Sequence, residues 1–173
     1  IAANPDDLYA YGERLGIHKP AVSAMPQKQQ KASNIEIASH GNIKLTYLKT
    51  SGYIRVVNGP LTAIIDVAAI GPDYLQGHAH ADTLTFEMSF DSQRVVIDSG
   101  TSLYGEGTAR LQQRGTAAHN TVMIDGKDSS EVWGGFRVAR RSKPFGLEIK
   151  ETNAGVVCVR CAHDGYRRLP GKP

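Results

Sequence analysis

Three of the six histidines in this 173-residue chain fall in one stretch. His78 and His80 stand in Gly77-His78-Ala79-His80-Ala81-Asp82, and His119 in Thr116-Ala117-Ala118-His119-Asn120-Thr121. Between them Asp98 closes the apolar run Val95-Val96-Ile97. A carboxylate that follows a buried run needs solvent or a cation. Two neutral imidazoles and a carboxylate form a donor set that suits zinc. A plainer reading takes His-x-His as two polar residues on a strand edge and the Asp before Ser99-Gly100 as a turn former. Spacing alone leaves both readings open.

Each of these residues sits at the lip of a predicted strand. After Ser33 the pattern alternates, which predicts strands at 35–39, 43–49, 52–58 and 61–69, with breaks at His40-Gly41-Asn42, Ser51-Gly52 and Asn58-Gly59-Pro60. Short breaks imply antiparallel neighbours. Further strands are predicted at 83–90, where Leu84, Phe86, Met88 and Phe90 alternate with polar residues, and at 94–98, 120–125, 135–141, 145–151 and 155–161. About ten strands without intervening helices predict an all-β sandwich or barrel. Residues 99–118, with Gly100, Gly105, Gly107 and Gly115, lack alternation and read as a long functional loop.

Upstream, Asn4 caps a predicted helix with Pro5, Asp6 and Asp7 in its first turn, an apolar stripe Leu8, Tyr11, Leu15, and Gly16 as its stop. The polar stretch 27–31 reads as a linker. Residues 1–32 are thus expected to be a helix and linker from a preceding helical domain, and 33–173 a β domain. The start at Ile1 and the turn-like end at Arg167-Arg168-Leu169-Pro170 suggest a fragment whose β domain is incomplete at its C-terminus.

At 40% hydrophobic, the chain suits one domain with a real core. Its net charge of +3 is uneven: residues 131–173 hold nine Arg or Lys against four Asp or Glu, a balance of +5. That favours an acidic partner. Nucleic acid is set aside because the basic residues lack aromatic interleaving and a recognition-helix pattern. No signal-peptide pattern or apolar run of membrane-spanning length is present, so no membrane role is expected. Cys158 and Cys161 lie three apart in a β-branched run, where they point to opposite faces, and read as buried strand thiols rather than a redox or zinc motif.

The motifs Gly77-His78-Ala79-His80-Ala81-Asp82, Val96-Ile97-Asp98-Ser99-Gly100-Thr101 and Thr116-Ala117-Ala118-His119-Asn120-Thr121-Val122, followed by Asp125-Gly126, resemble in order and separation the C-terminal domain of heparinase II/III polysaccharide lyases. The resemblance covers about residues 55–170, including His163-Asp164-Gly165-Tyr166. It implies an antiparallel β-sandwich of supersandwich type, packed in the whole protein against an N-terminal helical α/α toroid that this chain lacks. It also implies an anionic, uronate-containing polysaccharide in the cleft between the two, and a periplasmic or secreted setting. By the same resemblance His80, Asp98 and His119 would be metal ligands, normally for a structural zinc, and His78 would face the cleft. Tyr104 and Arg114 would lie on the loop approaching substrate, with Arg110 beside them.

Uronate lyases remove the proton beside a sugar carboxylate and expel the 4-linked oxygen, so the carboxylate charge must first be neutralised. His78 and Tyr104 are the expected catalytic participants on this chain, His78 as base or neutraliser according to the sugar epimer. Arg110 and Arg114 are the expected substrate contacts. The principal Tyr and His of such enzymes come from the helical domain. Tyr166 with Arg167 and Arg168 reads equally as an acidic-sugar contact or an exposed turn; Trp133 reads as core or edge packing ahead of sugar stacking. A cupin-like metalloenzyme is the main rival, but Glu87 is at the wrong distance from His80 and Asp98 has no counterpart there. A non-catalytic carbohydrate-binding module would not need His78 in a cleft.

Overall fold

The computed structural model describes residues 34–40, 43–151 and 156–173. The chain divides after Lys31, and all of these belong to the second unit, Ala32–Pro173. The helix and linker expected over residues 4–31 lie outside the described residues. Among the described residues no helix is long and apolar enough to cross a membrane.

Six strands form one antiparallel sheet in sequence order: β1 (Asn34–His40), β2 (Ile43–Leu48), β3 (Tyr53–Asn58), β4 (Leu61–Asp66), β5 (Phe86–Phe90) and β6 (Gln93–Val96). Tight turns impose this meander. At the β5–β6 turn Asp91 and Ser92 both have positive φ, the two-residue turn whose twist matches a hairpin. Gly52, at φ 76°, closes the β2–β3 turn, and a Cβ there would lie 2.6 Å from Ala68 Cβ. Only glycine fits both the dihedral and the space.

Two expected strands are shortened by turns that local chemistry makes. The 61–69 strand stops at Asp66, whose Oδ1 accepts the Ala68 amide at 2.7 Å. The 83–90 strand starts only at Phe86: Leu84 has φ 66°, and the Thr85 amide donates to the Asp82 carbonyl at 2.8 Å. The connection from β4 to β5 is therefore a loop, and it carries His78, His80 and Asp82.

Elsewhere the pattern misled. Residues 120–125 are not a strand: they carry one bridge, Ile124 to Lys127, around a turn with Asp125 and Gly126 at positive φ. The expected 135–141 strand is a small hairpin, β7 (Val132–Gly134) and β8 (Arg137–Val138). The loop expected at 99–118 contains helix α1 (Thr108–Arg114) and a 3-10 turn, Thr116–Ala118. Ala, Arg, Leu and Gln are good helix formers, but the residues α1 buries, four apart, are Arg110 and Arg114. The helix face is thus present in the sequence as a basic stripe, which hydrophobic periodicity does not register.

The last elements, β9 (Pro144–Glu151) and β10 (Val157–His163), pair antiparallel. Leu147 and Ile149 of β9, with Val157, Val159 and Cys161 of β10, pack on the buried cluster Leu45, Ile54 and Val67 of the main sheet and its continuation. Phe86 belongs to the same sheet face, since Ile54, Ile65 and Phe86 are successive register partners, yet it is 40% exposed. Apolar burial is thus concentrated over β2–β4. Cys158 and Cys161 are free and on alternate sides of β10, as period two demands. Cys158 is exposed, so it is not the buried thiol the β-branched run suggested.

Candidate functional site

The loop bearing His78 and His80 is held from beneath by two guanidinium groups. Arg110 donates from Nη2 to the Gly77 carbonyl (2.8 Å), from Nε to Gly135 (2.8 Å) and from Nη1 to Leu103 (2.8 Å) and the Thr101 hydroxyl (3.0 Å). Arg114 donates to the carbonyls of Ala79 (2.9 Å), Gly134 (2.5 Å), Gly135 (2.7 Å) and Gln76 (3.3 Å). Both are essentially inaccessible, at 1% and 0% exposure. Buried guanidiniums are tolerated here because carbonyl oxygens take up their donors. The helix thereby fixes the backbone on both sides of His78 and, through the Leu103 carbonyl, the start of the Tyr104 loop.

A hydroxyl network continues this anchoring. Thr116 donates its hydroxyl to the Ala81 carbonyl at 2.7 Å, Ser129 bonds the same carbonyl at 3.2 Å, and Thr83 bonds Ser142, which bonds Ser130. Ala79 and Ala81, on either side of His80, are buried. His80 and Asp82 are consequently presented from a loop with little freedom.

His80, Asp82 and His119 each offer a ligand atom, and these atoms lie within 4.8 Å of one another. The two imidazole centroids are 5.1 Å apart. His119 is buried, and among the described residues its Nε2 has no hydrogen-bond partner. Its Nδ1 lies 2.7 Å from Asp98 Oδ2. If Nδ1 carries the proton toward that carboxylate, Nε2 keeps a lone pair for a cation. Burial, then the neighbouring His119 and the two arginines, lowers the His80 pKa to about 4, so its imidazole is neutral at pH 7, as a ligand must be. Burial raises the Asp82 carboxyl above the usual carboxylate range, with Asp98 adding to the effect. Partly buried acids beside a buried imidazole nitrogen fit a cation. The group can hold a metal ion.

Asp98 was expected as a direct ligand. Burial alone would raise its pKa, but the Gly100 amide and His119 outweigh that and hold the carboxyl below the usual range. Its Oδ1 accepts from Gly100 at 2.9 Å; its Oδ2 meets His119 at 2.7 Å and Thr85 at 3.3 Å. Both oxygens are engaged, whereas Asp82 stands in the close group. Asp82 stands inside the histidine motif with nothing in the sequence to mark its role, because its convergence with His119 depends on the turn that ends at Thr85. Asp66 and Tyr53, cross-strand partners, also reach this space and were not singled out. With His80, Asp82, Asp98 and His119 they line a cavity of about 400 Å³.

His78 points elsewhere. It is exposed, its ring centroid is 5.7 Å from that of Tyr104 in an edge-on arrangement, and it lines a larger cavity of about 680 Å³ in which His80 and Asp82 also appear. Tyr104 is 67% exposed and lies over the Arg110 guanidinium at 4.9 Å. The two expected substrate contacts, Arg110 and Arg114, are not at the surface: burial and carbonyl bonding make them anchors of the loop. Tyr166 is also enclosed, donating its hydroxyl to the Val122 carbonyl at 2.8 Å, and Arg168 bonds the carbonyls of Asp128, Ser129 and Gly165. The exposed-turn reading fails for Tyr166 and Arg168 but holds for Arg167, which is exposed on the same turn with its guanidinium 4.9 Å from the Phe145 ring centroid. Trp133, expected to pack, is 59% exposed.

The chain has no match among curated proteins and none among solved structures. The family model for the heparinase II/III-like C-terminal domain matches residues 40–172, which takes in the histidine loop, Asp98, α1 and His119. With most of its length matched, the chain belongs to the heparinase II/III-like C-terminal family.

Proposed function

We propose that this domain forms one wall of a uronate polysaccharide lyase cleft, with His78 and Tyr104 facing the substrate and a structural zinc beneath them. The observation that carries the reading is the parting of the His-x-His pair. His80 turns to His119 and the carboxylates, while His78, two residues earlier on the same clamped loop, meets exposed Tyr104. A site built only for a metal would not need the second imidazole outside it.

In the elimination, a base removes the proton on the carbon bearing the sugar carboxylate. That electron pair forms the ring double bond as the bond to the 4-linked oxygen breaks, and the oxygen is protonated. His78 supplies the base or the group that neutralises the carboxylate, and Tyr104 lies within reach of the same sugar to hold or pass a proton. The buried arginine pair keeps both in place and biases the wall toward an anion. The remaining proton-transfer groups come from a helical domain opposite. The β9–β10 hairpin is read as part of the second layer of a sandwich.

His80, Asp82 and His119 would hold the zinc, with Asp98 orienting His119. The ion would tie the β4–β5 loop to the turn after α1, and no step of the elimination passes through it. The test uses protein that includes the helical domain and follows the ultraviolet absorbance of the unsaturated product. His78→Ala is expected to lower kcat by about 100-fold or more while metal content is kept; His80→Ala is expected to lose metal and thermal stability together. Full turnover by the His78→Ala variant on all uronate polymers tried would overturn the reading.

A further inference from the structure

Trp133, the one tryptophan of the chain, projects from the β7–β8 hairpin with 59% exposure. Its neighbours Gly134 and Gly135 have no side chains to cover the indole, and Gly134 pairs in register with Arg137. The Arg137 guanidinium sits 5.3 Å from the indole centroid. Among the described residues Arg137 has no carboxylate partner. An indole left open to water loses the burial that usually justifies it, so a ligand that covers the ring would recover that loss. A pyranose offers a flat C–H face of suitable size for the face of the indole that Arg137 does not cover, and the guanidinium stacked over the ring has donors to offer a carboxylate or sulfate of the same polymer.

The position of the hairpin relative to His78 and Tyr104 follows from its contacts. A Cβ on Gly135 would lie 2.2 Å from the Gly105 carbonyl oxygen, one residue after Tyr104. A Cβ on Gly77, one residue before His78, would lie 3.3 Å from the Phe136 ring. The carbonyls of Gly134 and Gly135 share the guanidiniums of Arg114 and Arg110 with the histidine loop. The turn between Trp133 and Arg137 is thus bolted to the segments that carry both proposed catalytic side chains.

We infer that Trp133 and Arg137 form an outer subsite for an anionic sugar unit of the polymer, separate from the unit that reacts at His78 and Tyr104. This rests on the reading of the substrate as an anionic polysaccharide, but not on the elimination chemistry. Binding by aromatic stacking plus one guanidinium makes the subsite selective for charge and indifferent to the linkage cleaved.

A single tryptophan makes the test direct. A saturated 4-linked hexuronate tetramer, titrated into the 173-residue chain at low salt, should shift or quench the tryptophan emission in a saturable way, and cellotetraose should not. Calorimetry should show affinity for the uronate falling about tenfold in Trp133→Ala, the loss of one stacking contact. Arg137→Gln should bind the uronate more weakly and lose much of the salt dependence, while its far-ultraviolet dichroism stays that of the wild type. Uronate binding with unchanged emission, equal response to cellotetraose, or no emission change at millimolar tetramer would each overturn the subsite. Because the readout is binding, an emission change together with no lyase activity in protein that includes the helical domain would count against the catalytic reading alone, and turnover by that protein without an emission change would count against the subsite alone.

Discussion

The two halves of this domain are held together by different physics. The meander buries Leu45, Ile54 and Val67 beneath the β9–β10 hairpin. The region that presents the site instead buries Arg110, Arg114, Thr83, Thr116, Ser129, Ser130 and Ser142. Apolar burial is non-directional and tolerates small repacking, whereas a buried polar network is favourable only when every donor finds its acceptor. The sheet half should therefore respond to mutation by degrees, and the site half should respond as a unit. For the histidine loop this is a useful division, since hydrogen bonds aimed at the carbonyls around His78 fix its backbone in a way that an apolar contact would not.

The sharpest way to break that comparison is at Arg114. Arg114→Ala removes a donor from four carbonyl groups of two segments, Gln76 and Ala79 on the histidine loop and Gly134 and Gly135 on the hairpin, and we expect a loss of at least about 3 kcal/mol in urea unfolding. Arg114→Lys should recover only part of that, because an ammonium cannot reproduce the guanidinium fork. If Arg114→Ala unfolds like the wild type, the network is not what holds the loop.

In the sheet, Leu45→Ala should cost about 2–3 kcal/mol, the lower part of the range for a buried leucine, since the hairpin can settle toward the space. Metal content should be unchanged. A parallel loss of metal in Leu45→Ala would show that the halves are less separable than their chemistry suggests.

Asp98→Asn keeps the shape beside His119 but removes the charge that orients it. Metal affinity should fall by about 10–100-fold, as for other groups that orient a ligand. Asp82→Asn should cost more. Equal or reversed losses, measured by competition with a chelator, would move Asp98 into direct coordination, where sequence reading placed it.

The smallest effect concerns Asp66. Burial, the first cause, and then the nearby Asp82 raise its pKa from 3.8 to about 6, against the pull of the Ala68 amide. The native state thus holds a proton that the unfolded chain has released, so this contribution to stability is fully present below about pH 4 and is lost as pH rises through about 6. Asp66→Asn should flatten that window in metal-free protein, leaving the variant more stable than the wild type at pH 7 by about 1 kcal/mol. A variant whose thermal midpoint follows the wild-type pH profile would assign the slope to other acids.

Much of the sheet was legible in the sequence because strand period and turn chemistry are local. Alternation located β1–β4, and Asn58-Gly59-Pro60 located a turn, without knowledge of what packs where. The same rule overran where side chains interrupt the ladder, at Asp66 and at Leu84, because a capping carboxylate or a left-handed residue is invisible to hydropathy. Helix α1 was missed for a related reason: its buried face is written in arginine, and arginine reads as exposed until its acceptors are known. Those acceptors include backbone carbonyls of Gln76, Gly77 and Ala79, 33 to 38 residues away, which no side-chain pattern records.

By itself the sequence determined the first four strands, the kinds of residue available for a metal, and the family, since all three depend on residue types in order along the chain. Tertiary structure alone decided which carboxylate stands with His80 and His119, that Arg110 and Arg114 lie inside rather than at the surface, and that Trp133 lies outside. The reason is physical. Whether a polar side chain becomes a ligand, an anchor or a surface contact depends on which partners lie within about 3 Å of its donors and acceptors, and that distance is set by how distant segments pack, not by their spacing along the chain.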